Sequence, residues 1–138
     1  VENVYEMVNN LIDSQSTVFV GSVSSDGFPN LKAMLAPRQR ENLHRLYFTT
    51  NTSSMRVKQF KENNKACLYF CDQTNFLGVM LTGTMEVLED SHSKEMIWRK
   101  GDTMYYPLGV TDPDYCVLQF TSQSGRLYRN FSSIYFDI

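Results

Sequence analysis

The sequence is short of several things, and each shortage narrows what the protein can be. Its 138 residues include only three cysteines, Cys67, Cys71 and Cys116, with no CxxC pair and no Cys/His cluster. An odd, scattered set of thiols suggests neither a disulfide framework nor a zinc site, so reduced, buried cysteines and no metal are expected. Seven glycines and four prolines exclude collagen-like and low-complexity chains. No stretch approaches the roughly 18 to 20 consecutive apolar residues that a membrane-spanning helix needs. The opening VENVYEMVNN carries acids where a signal peptide would carry a basic start, and the expectation is a cytoplasmic chain with no membrane partner. GxGxxG and P-loop motifs are also missing, so a nucleotide phosphate would have to be held by another device.

What is present describes a folded domain. With 42% hydrophobic and 20% charged residues the chain is not disordered, and a fold of this length buries roughly two-thirds of its unfolded surface. No linker or internal repeat divides it, so residues 1–138 are read as a single domain. The net charge of −2 conceals an asymmetry. From Lys32 to Lys65 there are eight basic residues against two acids, a local charge of +6 that leaves the rest at −8. A basic segment in an acidic chain suits a site for a small anion better than a nucleic-acid surface, and no nucleic-acid partner is expected.

Hydrophobic periodicity outlines the elements. Val4, Val8, Leu11 and Ile12 form one helical stripe, predicting an amphipathic helix over residues 2–13. TVFVGSVS (17–24) reads as a strand, Ser25-Asp26-Gly27 as a hairpin turn, and 30–36 as the returning strand. Pro37 and RQREN break the pattern before a third strand, HRLYFTT (44–50). Asn51-Thr52-Ser53-Ser54 supplies N-cap residues for a short helix, MRVKQFKEN. Strands follow at 66–71 and at 78–88, the latter bending around Gly83, then a helix capped by Asp90 or Ser91 and running through Arg99. Strands at 115–122 and about 125–130 complete the set. Seven strands with three helices and mostly hairpin-length connections predict an antiparallel barrel or closed sheet carrying helices, not a Rossmann fold.

The start of the second helix is the best place for chemistry. A helix N-terminus offers unpaired N–H groups and a positive dipole end, dressed here with Thr50, Thr52, Ser53 and Ser54 and followed by Arg56 and Lys58. Lys32, flanked by Leu31, Ala33, Met34 and Leu35, stands mid-strand and either faces solvent on an edge or aims at an anion. His44 and His92 begin a strand and a helix, where surface or capping roles are expected. Trp98 is expected in the core or a dimer contact. Tyr105 and Tyr106 lie in a loop that could line the substrate side, which nothing in the sequence decides.

The ordered set Gly27-Phe28-Pro29-Asn30-Leu31-Lys32-Ala33-Met34, Leu46 to Arg56 (LYFTTNTSSMR), Glu62 to Phe70 (ENNKACLYF) and VMLTGTMEVL resembles the pyridoxamine 5′-phosphate oxidase-like superfamily, most closely its short general-stress-protein-like branch. The resemblance runs from about Val4 to Asn130. It implies a mainly β fold with helices (α+β), a six- to seven-stranded antiparallel split β-barrel, and a homodimer that binds FMN in a cleft between subunits. Carried over by position, Lys32, Thr49, Thr50, Ser54 and Arg56 would hold the flavin phosphate, and Ala33 and Met34 would lie along the ring. Arg56 stands where a lysine is more usual, which keeps the charge and adds a planar fork suited to phosphate.

Three departures qualify the resemblance. A second basic strand residue of true pyridoxamine phosphate oxidases falls at Pro37, the chain ends in GRLYRNFSSIYFDI, and Gly78 and Met80 occupy positions that often carry polar groups near the flavin. Oxidation of pyridoxamine phosphate is therefore not expected. The expected function is that of an FMN-dependent oxidoreductase acting on an unidentified small-molecule substrate, with no assigned catalytic side chain. The alternative is a non-catalytic flavin- or anion-binding sensor module.

Overall fold

Alternating β-branched and aromatic residues build most of the molecule, and a computed structural model describes residues 3–138. The first helix, α1 (Val4–Ser14), is capped by Asn3, whose side chain accepts from Glu6 N–H, and it buries Val8, Leu11 and Ile12. Glu2, the expected first residue of this helix, lies outside the described residues. Strands β1 (Thr17–Val23) and β2 (Pro29–Leu35) pair across the Asp26-Gly27 turn, where Gly27 takes the left-handed φ of 86°. Then come β3 (Gln39–Glu41), β4 (Arg45–Asn51), α2 (Met55–Glu62), β5 (Lys65–Asp72) and β6 (Leu77–Leu88). Helix α3 (Ser91–Ile97), a 3₁₀ turn at Asp102–Met104, β7 (Tyr115–Arg129) and β8 (Ser132–Asp137) complete the chain.

All eight strands belong to one antiparallel sheet in the order β2-β1-β5-β6-β7-β4-β3, with β8 pairing the second half of β7. The hydrogen-bonded sheet does not close, since β2 and β3 are its two ends, so the fold is a split β-barrel rather than a closed one. Most of the inner face is one apolar cluster that includes Val20, Phe48, Leu68, Leu81, Leu118 and Phe120. A smaller cluster of Tyr47, Ile97, Tyr106, Tyr115 and Val117, with Trp98 packed against it, lies beneath α3 and the loop that follows.

Four expectations are corrected. The polar Gln39–Glu41 segment is a strand because its backbone pairs with Arg45–Tyr47 of β4. Helix α3 stops at Ile97 with Trp98 as its C-cap, short of Arg99, because Asp102 takes up the Arg99 N–H. Residues 115–129 form one strand, continuous where two were expected, because β6 runs alongside them with a single register shift at Thr82/Gly83. An eighth strand, β8, follows the Asn130-Phe131 turn, whose residues both have positive φ without being glycine. The bend expected at Gly83 is present for a steric reason. A Cβ at that position would lie 1.9 Å from the Thr121 carbonyl oxygen of β7, so the two strands come this close only because residue 83 is glycine.

Two fixtures position the candidate site. Ser22 Oγ of β1 donates to Gln59 Oε1 of α2 at 2.5 Å, both groups buried, which fastens α2 to the sheet beside β2. Asp114, just before β7, accepts from Ser53 N–H at 2.8 Å and from Asn51 Nδ2 at 2.8 Å, while its carbonyl accepts from Thr52 N–H at 2.8 Å. The turn between β4 and α2 is thereby held at three points.

Candidate functional site

Ion pairing separates the basic segment into two sets. Arg38 pairs with Asp102, Arg40 with Asp13, Arg45 with Glu41 and Lys61 with Glu89. Lys32, Arg56, Lys58 and Lys65 have no carboxylate within 4 Å among the described residues. Lys58 and Lys65 are exposed cations on the surface. Lys32 is exposed as well, on edge strand β2, but it and the half-buried Arg56 both line each of two adjoining pockets between β2, the end of β4 and the start of α2.

The first pocket, about 230 Å³, is bounded by Lys32, Ala33 and Met34 of β2, Thr49 and Thr50 of β4, and Arg56 of α2. The second, about 310 Å³, adds Ser54 and is floored by Val20, Ser22 and Gln59. All seven residues carried over by the family resemblance therefore line this pair of pockets, whereas Thr52, Ser53 and Lys58, also singled out at the helix start, do not. Strand alternation accounts for the β2 members: Lys32 and Met34 point to one side and Ala33 to the other, with Lys32 opposite Val20 and Met34 opposite Val18 in the register with β1. Thr50 is buried, and Arg56 Nη2 donates to its Oγ1 at 3.3 Å.

Arg56 is the unusual member. Its guanidinium is half-buried, its Nε is fully buried and lacks a hydrogen-bond partner, and burial pulls its pKa below the ordinary arginine value. A desolvated guanidinium with an orphaned donor and no carboxylate is costly as it stands, and an anion in the pocket would relieve it. The helix terminus contributes less than its sequence suggests. Asp114 already occupies Ser53 N–H, and Ser54, the N-cap of α2, accepts from Val57 N–H at 3.4 Å. The positive potential of the site comes chiefly from Arg56 and Lys32.

Arg38 was not identified from sequence, and Tyr105 and Tyr106 were left undecided there. Arg38, Tyr105 and Tyr106 line the first pocket together with the residues of β2 and β4. Tyr106 is buried, its ring packs on Tyr115 with centroids 4.8 Å apart, and burial raises its phenol pKa against a hydrogen bond with Thr49. Both pockets lack a histidine or cysteine among their described lining residues, and His44 and His92 are exposed elsewhere. Trp98 sits in the smaller core cluster, as its sequence context suggests. Cys116 is buried while Cys67 and Cys71 are half-buried, and no group of metal-ligating side chains occurs among the described residues. No helix among the described residues is long and apolar enough to cross a membrane.

Comparison with known proteins identifies relatives. Residues 5–129 match the family described as pyridoxamine 5′-phosphate oxidase. A search of curated proteins finds no match. A crystal structure from Clostridium acetobutylicum, of a protein related to general stress protein 26 of Bacillus subtilis in the pyridoxinephosphate oxidase family, is 45% identical with a TM-score of 0.89. The alignment covers 97% of this chain and 94% of that one. General stress protein 26 of Bacillus anthracis superposes with a TM-score of 0.80 at 18% identity, covering 99% of this chain and 100% of that one. A haem-binding protein of Mycobacterium smegmatis also reaches 0.80, at 11% identity over 99% of this chain and 59% of that one, a likeness of fold alone.

Proposed function

The chain belongs to the pyridoxamine 5′-phosphate oxidase family, and from that premise we propose that it is an FMN-binding flavoprotein, an oxidoreductase acting on a small molecule. A haem-binding protein shares this fold, so the residues of this chain must favour flavin or haem. The observation that carries the flavin reading is the desolvated Arg56, free of carboxylates among the described residues and converging with Lys32 and Thr50 on one pocket. A phosphate monoester answers that need directly. Of the side chains that can ligate a haem iron, histidine and cysteine are absent from the described lining while Met34, Met55, Tyr105 and Tyr106 are present, so the flavin reading rests on the anion demand of Arg56 and Lys32.

In this reading Arg56 and Lys32 neutralise the phosphate, the Thr50 and Ser54 hydroxyls donate to its oxygens, and Thr49 shapes the end of β4 beside it. The β2 backbone at Ala33 and Met34 gives the ring a flat strand surface. Bound FMN supplies hydride and electron transfer, and the protein contributes orientation, charge and access. The two pockets, about 230 and 310 Å³, suit an elongated ligand shared between them. Exposed Phe28, Leu31, Leu35 and Met55 lie on and beside edge strand β2, and a second copy of the chain covering them would form a homodimer with the cleft at its interface.

The visible spectrum of the protein tests this reading. After FMN is added and the unbound fraction removed, retained yellow absorbance that bleaches with NADPH under anaerobic conditions is the expected result. Retained flavin that no donor bleaches would leave a binding module in place of an oxidoreductase. A colourless protein that cannot be loaded would overturn the flavin reading.

A further inference from the structure

The loop after α3 reaches the same pocket through a fastening that its sequence does not reveal. Arg38 Nη1 and Nη2 donate to the two Asp102 carboxylate oxygens, each at 2.8 Å, and Nη1 also donates to the Ile97 carbonyl at 3.2 Å. Asp102 in turn accepts from Arg99 N–H at 2.8 Å. Its backbone carbonyl accepts from both Tyr105 N–H and Tyr106 N–H, each at 2.9 Å. One residue therefore holds both tyrosines, and its carboxylate is locked to an arginine that follows β2 and lines the pocket itself.

The two tyrosines are in different states. Tyr106 is 4% exposed and its ring is engaged by Tyr115 and Trp98, so its place is in the core. Tyr105 is 51% exposed although it lines the pocket, and among the described residues its ring meets only that of Tyr106, with centroids 6.4 Å apart. Exposed Met104 and Leu108 flank it on the same loop. A pocket with an extended strand as one wall and a half-free aromatic ring as another suits a planar, polarisable group.

We propose that Tyr105 is a ligand-contacting residue of this site, packing its ring on the flat ring system of the bound flavin, with the Arg38–Asp102 pair holding the loop that presents it. This inference rests on the flavin reading above and adds to it a residue, a contact and a specificity: the aromatic wall selects planar ring systems, whereas the Arg56 side selects phosphate. Its ring, rather than its hydroxyl, makes the contact.

The test is an FMN titration of the wild-type protein, Tyr105→Leu and Tyr105→Phe, with thermal unfolding of each as a control. Because Tyr105 is half-exposed, neither substitution is expected to move the unfolding temperature appreciably. Tyr105→Leu is expected to bind FMN about tenfold more weakly, as loss of one stacking contact predicts, while Tyr105→Phe keeps wild-type affinity. Bound-flavin fluorescence should be higher in Tyr105→Leu, since a tyrosine ring in contact with a flavin quenches it. Equal affinity in wild type and Tyr105→Leu overturns the inference, and so does an equal loss in both variants, which would place the contact at the hydroxyl. Failure of the wild-type protein to bind FMN overturns the flavin reading and this inference with it. Normal FMN binding with an indifferent Tyr105 removes only the inference.

Discussion

Replacing Arg56 with alanine is expected to weaken FMN binding by about 1–3 kcal/mol, roughly 5- to 150-fold in dissociation constant, while leaving the fold in place. The size follows from the environment of the guanidinium. Its Nε is buried without a partner, its Nη2 has only a 3.3 Å contact to Thr50, and no carboxylate among the described residues neutralises it. The ligand-free protein already bears the cost of desolvating this group, so a phosphate that meets it gains a charge-assisted bond without paying that cost again. For the same reason Arg56→Ala is not expected to destabilise the ligand-free protein, and its unfolding temperature without FMN should match or exceed that of the wild type. Arg56→Lys should fall between, since an ammonium keeps the charge and loses the planar fork. Isothermal titration with FMN and with riboflavin separates the contributions. If Arg56 acts on the phosphate, the variant loses affinity for FMN and little for riboflavin. Unchanged FMN affinity in Arg56→Ala would remove Arg56 from the site.

What the sequence disclosed about this site was local. Lys32 stood out because a strand pattern leaves few reasons for a lysine between Leu31 and Ala33, and Thr50, Ser54 and Arg56 stood out because capping residues and helix starts occupy adjacent positions. Each inference needed a window of a few residues. The parts that were missed depend on partners far along the chain. Arg38 shows nothing of its role in a local window, because its carboxylate lies 64 positions later, and the place of Tyr105 and Tyr106 is undecided in sequence because the loop's path depends on that bond. The strands behaved alike. Gln39–Glu41 has no hydrophobic signal and forms because β4 lies beside it. Two strands are expected at 115–122 and about 125–130, but Gly125 lies within the continuous β7 and admits the Phe136 ring of β8, whose nearest atom would stand 2.2 Å from an added Cβ. The turn into β8 uses Asn130 and Phe131 at positive φ, so the usual glycine mark of a hairpin was absent.

The same distant pair governs the second large effect, on stability. Asp102→Ala is expected to destabilise the folded protein by about 3 kcal/mol, the lower end for breaking a buried ion pair because Arg38 keeps some solvent contact. The side chains are 11% and 5% exposed for Arg38 and Asp102 respectively. Removing the carboxylate strands a bidentate guanidinium and also frees the Arg99 N–H. For a domain of this size the loss corresponds to a fall of roughly 10 °C in unfolding temperature. The pair predicts an acid limb as well. Hydrogen bonding to Arg38 holds the Asp102 carboxyl below its ordinary value of 3.8. A carboxyl whose folded pKa is depressed contributes stability that is fully present above that ordinary value and is lost as pH falls through the folded one. Wild-type stability should therefore decline below about pH 4, and Asp102→Ala should lack this part of the decline. A double replacement, Arg38→Met with Asp102→Leu, should recover most of the loss, since apolar groups of similar volume often substitute for a buried pair without net cost. Thermal and acid unfolding of the wild type and these two variants decides the matter: a single variant as stable as wild type at neutral pH would show that the loop is held by the Tyr106–Tyr115–Trp98 packing alone.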